Sequence, residues 1–205
     1  MVPGAQGHPP RTELRGDRRH RATRSGETQG KCRTTGAGRS RCSLPMQTFK
    51  RQTMKPPFQR LWQHFPRTES RAELYETLGW EDIIDHKAYR DTCAIRMSYA
   101  LLRADVALPG ATMLVKAGPA KGRHIEHRQA ALSRILKRRW GAPEVFRNPD
   151  AQEGIAGRKG VVSFFKIQGG NGGHIDLVEA GAHGFAACAR SCYFSAAVVW
   201  FWALG

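Results

Sequence analysis

The 205-residue chain contains no apolar run long enough to cross a bilayer, which takes about 20 residues in a helix. Its longest apolar stretch, Ala196–Leu204, reads as a buried terminal strand with Val-Val-Trp-Phe-Trp at its centre. The N-terminus lacks the continuous apolar core of a secretory signal peptide. A soluble protein is expected, one that leaves the cell, if it does, without a cleaved leader. Acidic residues are few, 17 Asp+Glu against 33 Lys+Arg, for a formal charge of +16. The imbalance is steepest in residues 1–53, with 12 basic and 3 acidic side chains and almost no apolar clustering. Such a segment cannot bury enough surface to offset the entropy of ordering it, so a disordered basic tail is expected. It also lacks the sustained amphipathic period of an organellar import segment. Two other readings stay open for it: an arm that touches a polyanion, or a stretch upstream of the true start, Met46 or Met54.

Residues 54–205 hold the patterned sequence of a single domain and show no internal repeat. Phe58–His64 and Arg71–Leu78 read as short helices, the second with Ser70 as N-cap and Gly79 as its stop. Trp80–His86 reads as a further helical turn. The next helix contains Cys93 and can be capped by Asp91 or Thr92; Ile95, Ser98, Tyr99 and Leu102 share one face, with Ala94, Met97 and Leu101 beside them. So broad an apolar stripe belongs at the centre of a core. Residues 104–123 read as loop with a short strand near Met113–Val115, Ile125–Trp140 as a helix ended by Gly141, and 147–160 as a polar loop. Strands are expected at Gly160–Gln168, His174–Glu179 and Ala196–Leu204, the first two joined as a hairpin through a glycine-rich turn. Helices first and an antiparallel sheet last define an α+β fold.

A cysteine on a helix is ordinarily a small buried hydrophobe. Cys93 differs because a cap just before it puts the sulfur in the first turn, where free amides and the helix dipole favour a thiolate and can hold an oxyanion. His174 follows a Gly-Gly pair and opens an alternating strand, with Asp176 and Val178 on its own face and Ile175 and Leu177 on the other. A lone histidine there is commonly a satisfied surface or core residue; with Cys93 upstream it is a candidate base. Asp176 could orient its ring, although Cα atoms two apart on a strand are about 6–7 Å apart, and a neighbouring loop could supply the orienter instead. Cys188 and Cys192 enclose three residues. They suit buried thiols, a short disulfide, or half of a zinc site that has no second cysteine pair. His124, Glu126 and His127 would sit on a helix without a third metal ligand in view. Nothing supplies the stacking aromatics or recognition element of a nucleic-acid-binding module, the alternative that the basic tail raises.

The run Asp91-Thr92-Cys93-Ala94-Ile95-Arg96-Met97-Ser98-Tyr99-Ala100-Leu101 resembles the catalytic helix of the fourth class of type VI secretion amidase effectors. So do Gly173-His174-Ile175-Asp176-Leu177, the pair Cys188 and Cys192 followed by Tyr193-Phe194, and Val199-Trp200-Phe201-Trp202. The resemblance extends from about Phe58 to Leu204 and implies a papain-like, NlpC-type fold, with helices packed on an antiparallel sheet. It implies hydrolysis of the peptidoglycan amide between D-glutamate and meso-diaminopimelate, with Cys93 as nucleophile and His174 as base. No cofactor or metal is implied. The protein would be made in a bacterial cytoplasm, carried by the type VI apparatus into a rival's periplasm, and restrained by a cognate immunity protein. Neither nucleic acid nor membrane would be a partner. Relatives place an aspartate between the two later cysteines where this chain has Arg190; others carry one two residues past the histidine, which makes Asp176 the expected third member. Oxidation of Cys188 and Cys192 to a disulfide in the recipient periplasm is the matching expectation.

Overall fold

A computed structural model describes residues 54–168, 172–179 and 195–205. The expected basic tail and the Cys188/Cys192 pair lie outside the described residues. Two short helices come first, α1 (Phe58–His64) and α2 (Arg71–Leu78). At the start of α2 the Ser70 hydroxyl accepts the Glu73 N–H while the Glu73 carboxylate accepts the Ser70 N–H. This reciprocal cap contributes about 1 kcal/mol. Gly79 closes α2 at φ 69°, a left-handed backbone that glycine adopts without strain. The helical turn expected over Trp80–His86 is two 3-10 turns, Glu81–Ile83 and Lys87–Tyr89. Trp80 is fully buried, and its indole N–H donates to the Leu114 carbonyl at 2.8 Å.

The central helix, α3 (Cys93–Arg103), is more than striped: nine of its eleven residues are buried. Each large aliphatic side chain so removed from water contributes about 1.5–3 kcal/mol, and this fixes the axis of α3 against its surroundings. Two short antiparallel strands follow, β1 (Met113–Leu114) and β2 (His124–Ile125). The helix expected from Ile125 therefore begins later, as α4 (Gln129–Trp140). Ile125 pairs with Met113, and the buried Glu126 carboxylate takes both the backbone N–H and the guanidinium of Arg128. These bonds keep the chain extended up to the helix cap. His124 and His127 consequently share no helix face. Gly141 ends α4 as expected.

Strand β3 (Glu144–Arg147) lies where no element is expected, and the five-residue α5 (Ala151–Ile155) falls within the expected loop 147–160. The apolar residues of α5 reduce to Ala151 and Ile155, one turn apart and both buried, too few to register as a period. Strands β4 (Gly160–Ile167), β5 (Gly173–Val178) and β6 (Ala196–Ala203) complete a fully antiparallel sheet of order β3-β6-β4-β5. The β4–β5 hairpin pairs Phe164 with His174 and Val162 with Asp176. One sheet face packs Val161, Ile175, Leu177 and Trp202 into the main core with the helices. The other packs Val162, Phe164, Val178 and Phe201 against α5. Helices laid on an antiparallel sheet make this the expected α+β architecture.

Candidate active site

Helix α3 meets the sheet with its N-terminus beside the opening residues of β5. Thr92 occupies the cap position, but its hydroxyl accepts the Arg96 Nε–H instead of a helix amide. Asp91 provides the cap: its Oδ1 accepts the Cys93 N–H at 3.0 Å. The sulfur thus lies in the first turn, 8% exposed, within hydrogen-bonding reach of the His174 ring and of the Ile175 backbone N–H. That amide is available because β5 is the edge of the described sheet.

On the strand, His174 and Asp176 project from the same face. Their side chains close the gap that the Cα spacing leaves, with His174 Nε2 3.1 Å from Asp176 Oδ2. Asp176 is 5% exposed, and its Oδ1 accepts the Leu177 N–H at 2.8 Å. With Nε2 engaged by the carboxylate, Nδ1 is the ring atom left for the sulfur. Phe164, opposite His174 in the ladder, stacks on the imidazole with ring centres 6.3 Å apart. On the other side, the side chain of Gln129 fills the space that a Cβ on Gly173 would need. Ring position is therefore set by the Asp176 carboxylate and the Phe164 ring, while Gln129 packs against the backbone at Gly173.

The electrostatics follow from burial and from this chain of contacts. Burial pushes the Cys93 thiol up; the hydrogen bond with His174 works against that rise, and the nearby Asp91 carboxylate adds to it. Burial works equally against a charged imidazole, but the hydrogen bond to Asp176 and the contact with Cys93 outweigh it and push His174 up to about 10. Asp176 is itself raised by burial, with His174 pulling in the opposite direction. The three groups form a continuous path in which a proton leaving sulfur can reside on the ring, and the resulting imidazolium faces a carboxylate. Such a path suits nucleophilic acyl transfer.

A cleft of about 240 Å³ opens over Cys93, His174 and Asp176. Its far wall, Phe65 to Arg67, follows α1 and is held in place by Arg96, one turn after Cys93 on α3. The Arg96 guanidinium donates to the carbonyls of Pro66 and of Glu69, the latter at 2.7 Å. Arg67 lies at the cleft with its guanidinium stacked on Trp62, 3.9 Å from the ring centre. Sequence reasoning missed this wall, Arg96 and Gln129. Among the described residues no cluster of three or more His, Cys, Asp or Glu side chains could hold a metal ion.

Residues 89–202 match the family described as type VI secretion system (T6SS), amidase effector protein 4, or Tae4. No curated protein matches the chain. Similar solved structures include Tae4 in the Tae4–Tai4 effector–immunity complex from Salmonella Typhimurium, 22% identical with a TM-score of 0.61, over 74% of this chain and 100% of that one. Tae4 from Enterobacter cloacae is 20% identical with a TM-score of 0.60, over 74% of this chain and 98% of that one. The family match spans both the helix that carries Cys93 and the strand that carries His174, and the chain belongs to the Tae4 family of type VI secretion effectors: it is a peptidoglycan amidase.

Proposed function

We propose that Cys93, His174 and Asp176 are the catalytic group, and that the bond they cut joins the side-chain carbonyl of D-glutamate to meso-diaminopimelate. The observation that carries this reading is the unbroken path from the buried sulfur through the ring to the carboxylate at the floor of the cleft. His174 Nδ1 takes the thiol proton, and the sulfur attacks the carbonyl carbon. The tetrahedral oxyanion faces the positive end of α3. The Cys93 amide contributes there only when the substrate oxygen displaces the Asp91 carboxylate that holds it. Collapse of the intermediate breaks the C–N bond as the imidazolium protonates the departing amine, leaving a thioester on Cys93. Water, deprotonated by His174, hydrolyses that thioester and restores the thiol.

The site of action is the periplasm of a recipient cell, reached by type VI delivery. Because similar structures are effector–immunity complexes, a cognate immunity protein that occludes this cleft is the expected partner in the producing cell. Purified full-length protein incubated with intact sacculi should release muropeptides with new free diaminopimelate amines. The Cys93→Ala variant, folded by circular dichroism, should release none. Another freed amine would overturn the bond assignment, and hydrolysis by Cys93→Ala would remove Cys93 from the mechanism.

A further inference from the structure

We infer that Arg67 forms a carboxylate-binding subsite of the cleft and makes the enzyme selective for stem peptides whose glutamate keeps its free α-carboxylate. The inference rests on the bond assignment proposed above. Among the described residues lining the cleft, Asp176 is the sole carboxylate, and both of its oxygens are engaged, by His174 and by the Leu177 amide. Two arginines line the same cleft, Arg67 and Arg96. Arg96 is occupied in bracing the wall through Thr92, Pro66 and Glu69. The carboxylate nearest to Arg67 in the chain, Glu69, is turned to the Thr68 backbone N–H at 3.1 Å. Arg67 is thus a cation at the mouth of the site, exposed and oriented by its stacking on Trp62, with no ion pair among the described residues.

The substrate supplies what this wall lacks. In a stem where glutamate is linked through its side-chain carbonyl, the α-carboxylate stays free. It lies four bonds from the scissile carbonyl carbon, about 5 Å when the linker is extended. A guanidinium fork takes a carboxylate through two parallel N–H···O bonds; a carboxamide offers one acceptor and no charge. Stems in which this carboxyl is amidated, carrying D-isoglutamine, should therefore be poorer substrates.

The experiment compares disaccharide-tripeptide muropeptides bearing D-glutamate or D-isoglutamine, using full-length wild type, Arg67→Gln and Arg67→Lys. Wild type should favour the carboxylate substrate by about 10- to 100-fold in kcat/KM, mainly through KM, the scale of one charge-assisted contact. Arg67→Gln should lose most of that preference, falling about 10- to 100-fold on the carboxylate substrate and by a few-fold at most on the carboxamide, with no more than the small loss of melting temperature expected from losing the stack on Trp62; Arg67→Lys should fall between. Equal cleavage of both substrates by wild type would overturn the inference while leaving the bond assignment standing. Equal losses on both substrates for Arg67→Gln would assign Arg67 a structural role and overturn it as well. Wild type that cuts neither substrate at the glutamate–diaminopimelate amide would sink the bond assignment and this inference together.

Discussion

Replacing Asp176 by Asn separates charge from geometry in the proposed catalytic group. The amide oxygen can still accept the His174 Nε2–H, so the ring keeps its orientation, but the negative charge is gone. Burial is the strongest influence on His174 and acts to lower it; the bond to Asp176 is the largest of those that raise it, ahead of Cys93, and together they hold it at about 10. A hydrogen bond to a charged group contributes about 1.5–3 kcal/mol, and one pKa unit corresponds to about 1.36 kcal/mol. Loss of the charge should lower the imidazole by roughly one to two units. In the proposed mechanism the attacking pair is thiolate with imidazolium, so the alkaline limb of kcat/KM reports loss of the ring proton. That limb should move from about 10 toward lower pH in Asp176→Asn. Activity at neutral pH should fall by about 10- to 100-fold, and further in Asp176→Ala, which also loses the orienting contact. The sign carries over to stability. His174 titrates higher folded than unfolded, so its stabilisation is complete below about 6.5 and is lost as pH rises through about 10. Urea midpoints should follow that course in wild type and less steeply in Asp176→Asn. The assay is a pH series on a tripeptide muropeptide with parallel urea titrations. An unmoved alkaline limb, or equal rates for the Asn and Ala variants, would refute the role given to the carboxylate.

Removing the imidazole should expose how far burial opposes the thiolate. In His174→Ala the sulfur keeps the burial and the Asp91 charge that push it up and loses its main counterweight, so iodoacetamide alkylation at neutral pH should slow by about tenfold or more; an unchanged rate would dissociate the two side chains. At the far end of the sheet, a Cβ on Gly160 would be driven into the Trp202 carbonyl and the Phe201 ring. Gly160→Ala should cost about 1–3 kcal/mol in a urea titration, since the obstructing group is strand backbone and cannot step aside. A loss within about 0.5 kcal/mol, the range of an ordinary surface change, would show that the strands separate more readily than their pairing implies.

What could be read from the sequence was what local chemistry encodes. The Ser70 cap, the Gly79 stop, the Cys93 helix and the β4–β5 hairpin each carry their signal within a few residues, and all appear where expected. The alternation along His174–Val178 placed His174 and Asp176 on one face, and the structure brings Cys93 to them. What escaped depends on distant backbone. Arg96 braces the cleft through carbonyls 27 and 30 residues away, and a carbonyl leaves no mark in a sequence. The choice between Asp91 and Thr92 as cap turned on the Thr92 hydroxyl being claimed by Arg96. Helix α5 was invisible because tertiary burial of two side chains, not periodicity, holds it in place. The late start of α4 has a similar cause, a strand pairing and a buried carboxylate that override local helix preference.

The outermost strand of a sheet ordinarily carries a row of unsatisfied amides, a standing invitation to any extended polypeptide that passes. On β5, at the edge of the described sheet, one of them, at Ile175, is turned toward the sulfur. Main-chain docking along that margin and a charged sulfur would compete for a single N–H. A strand paired with the Ile175 amide would therefore withdraw a hydrogen bond from the sulfur without touching the imidazole.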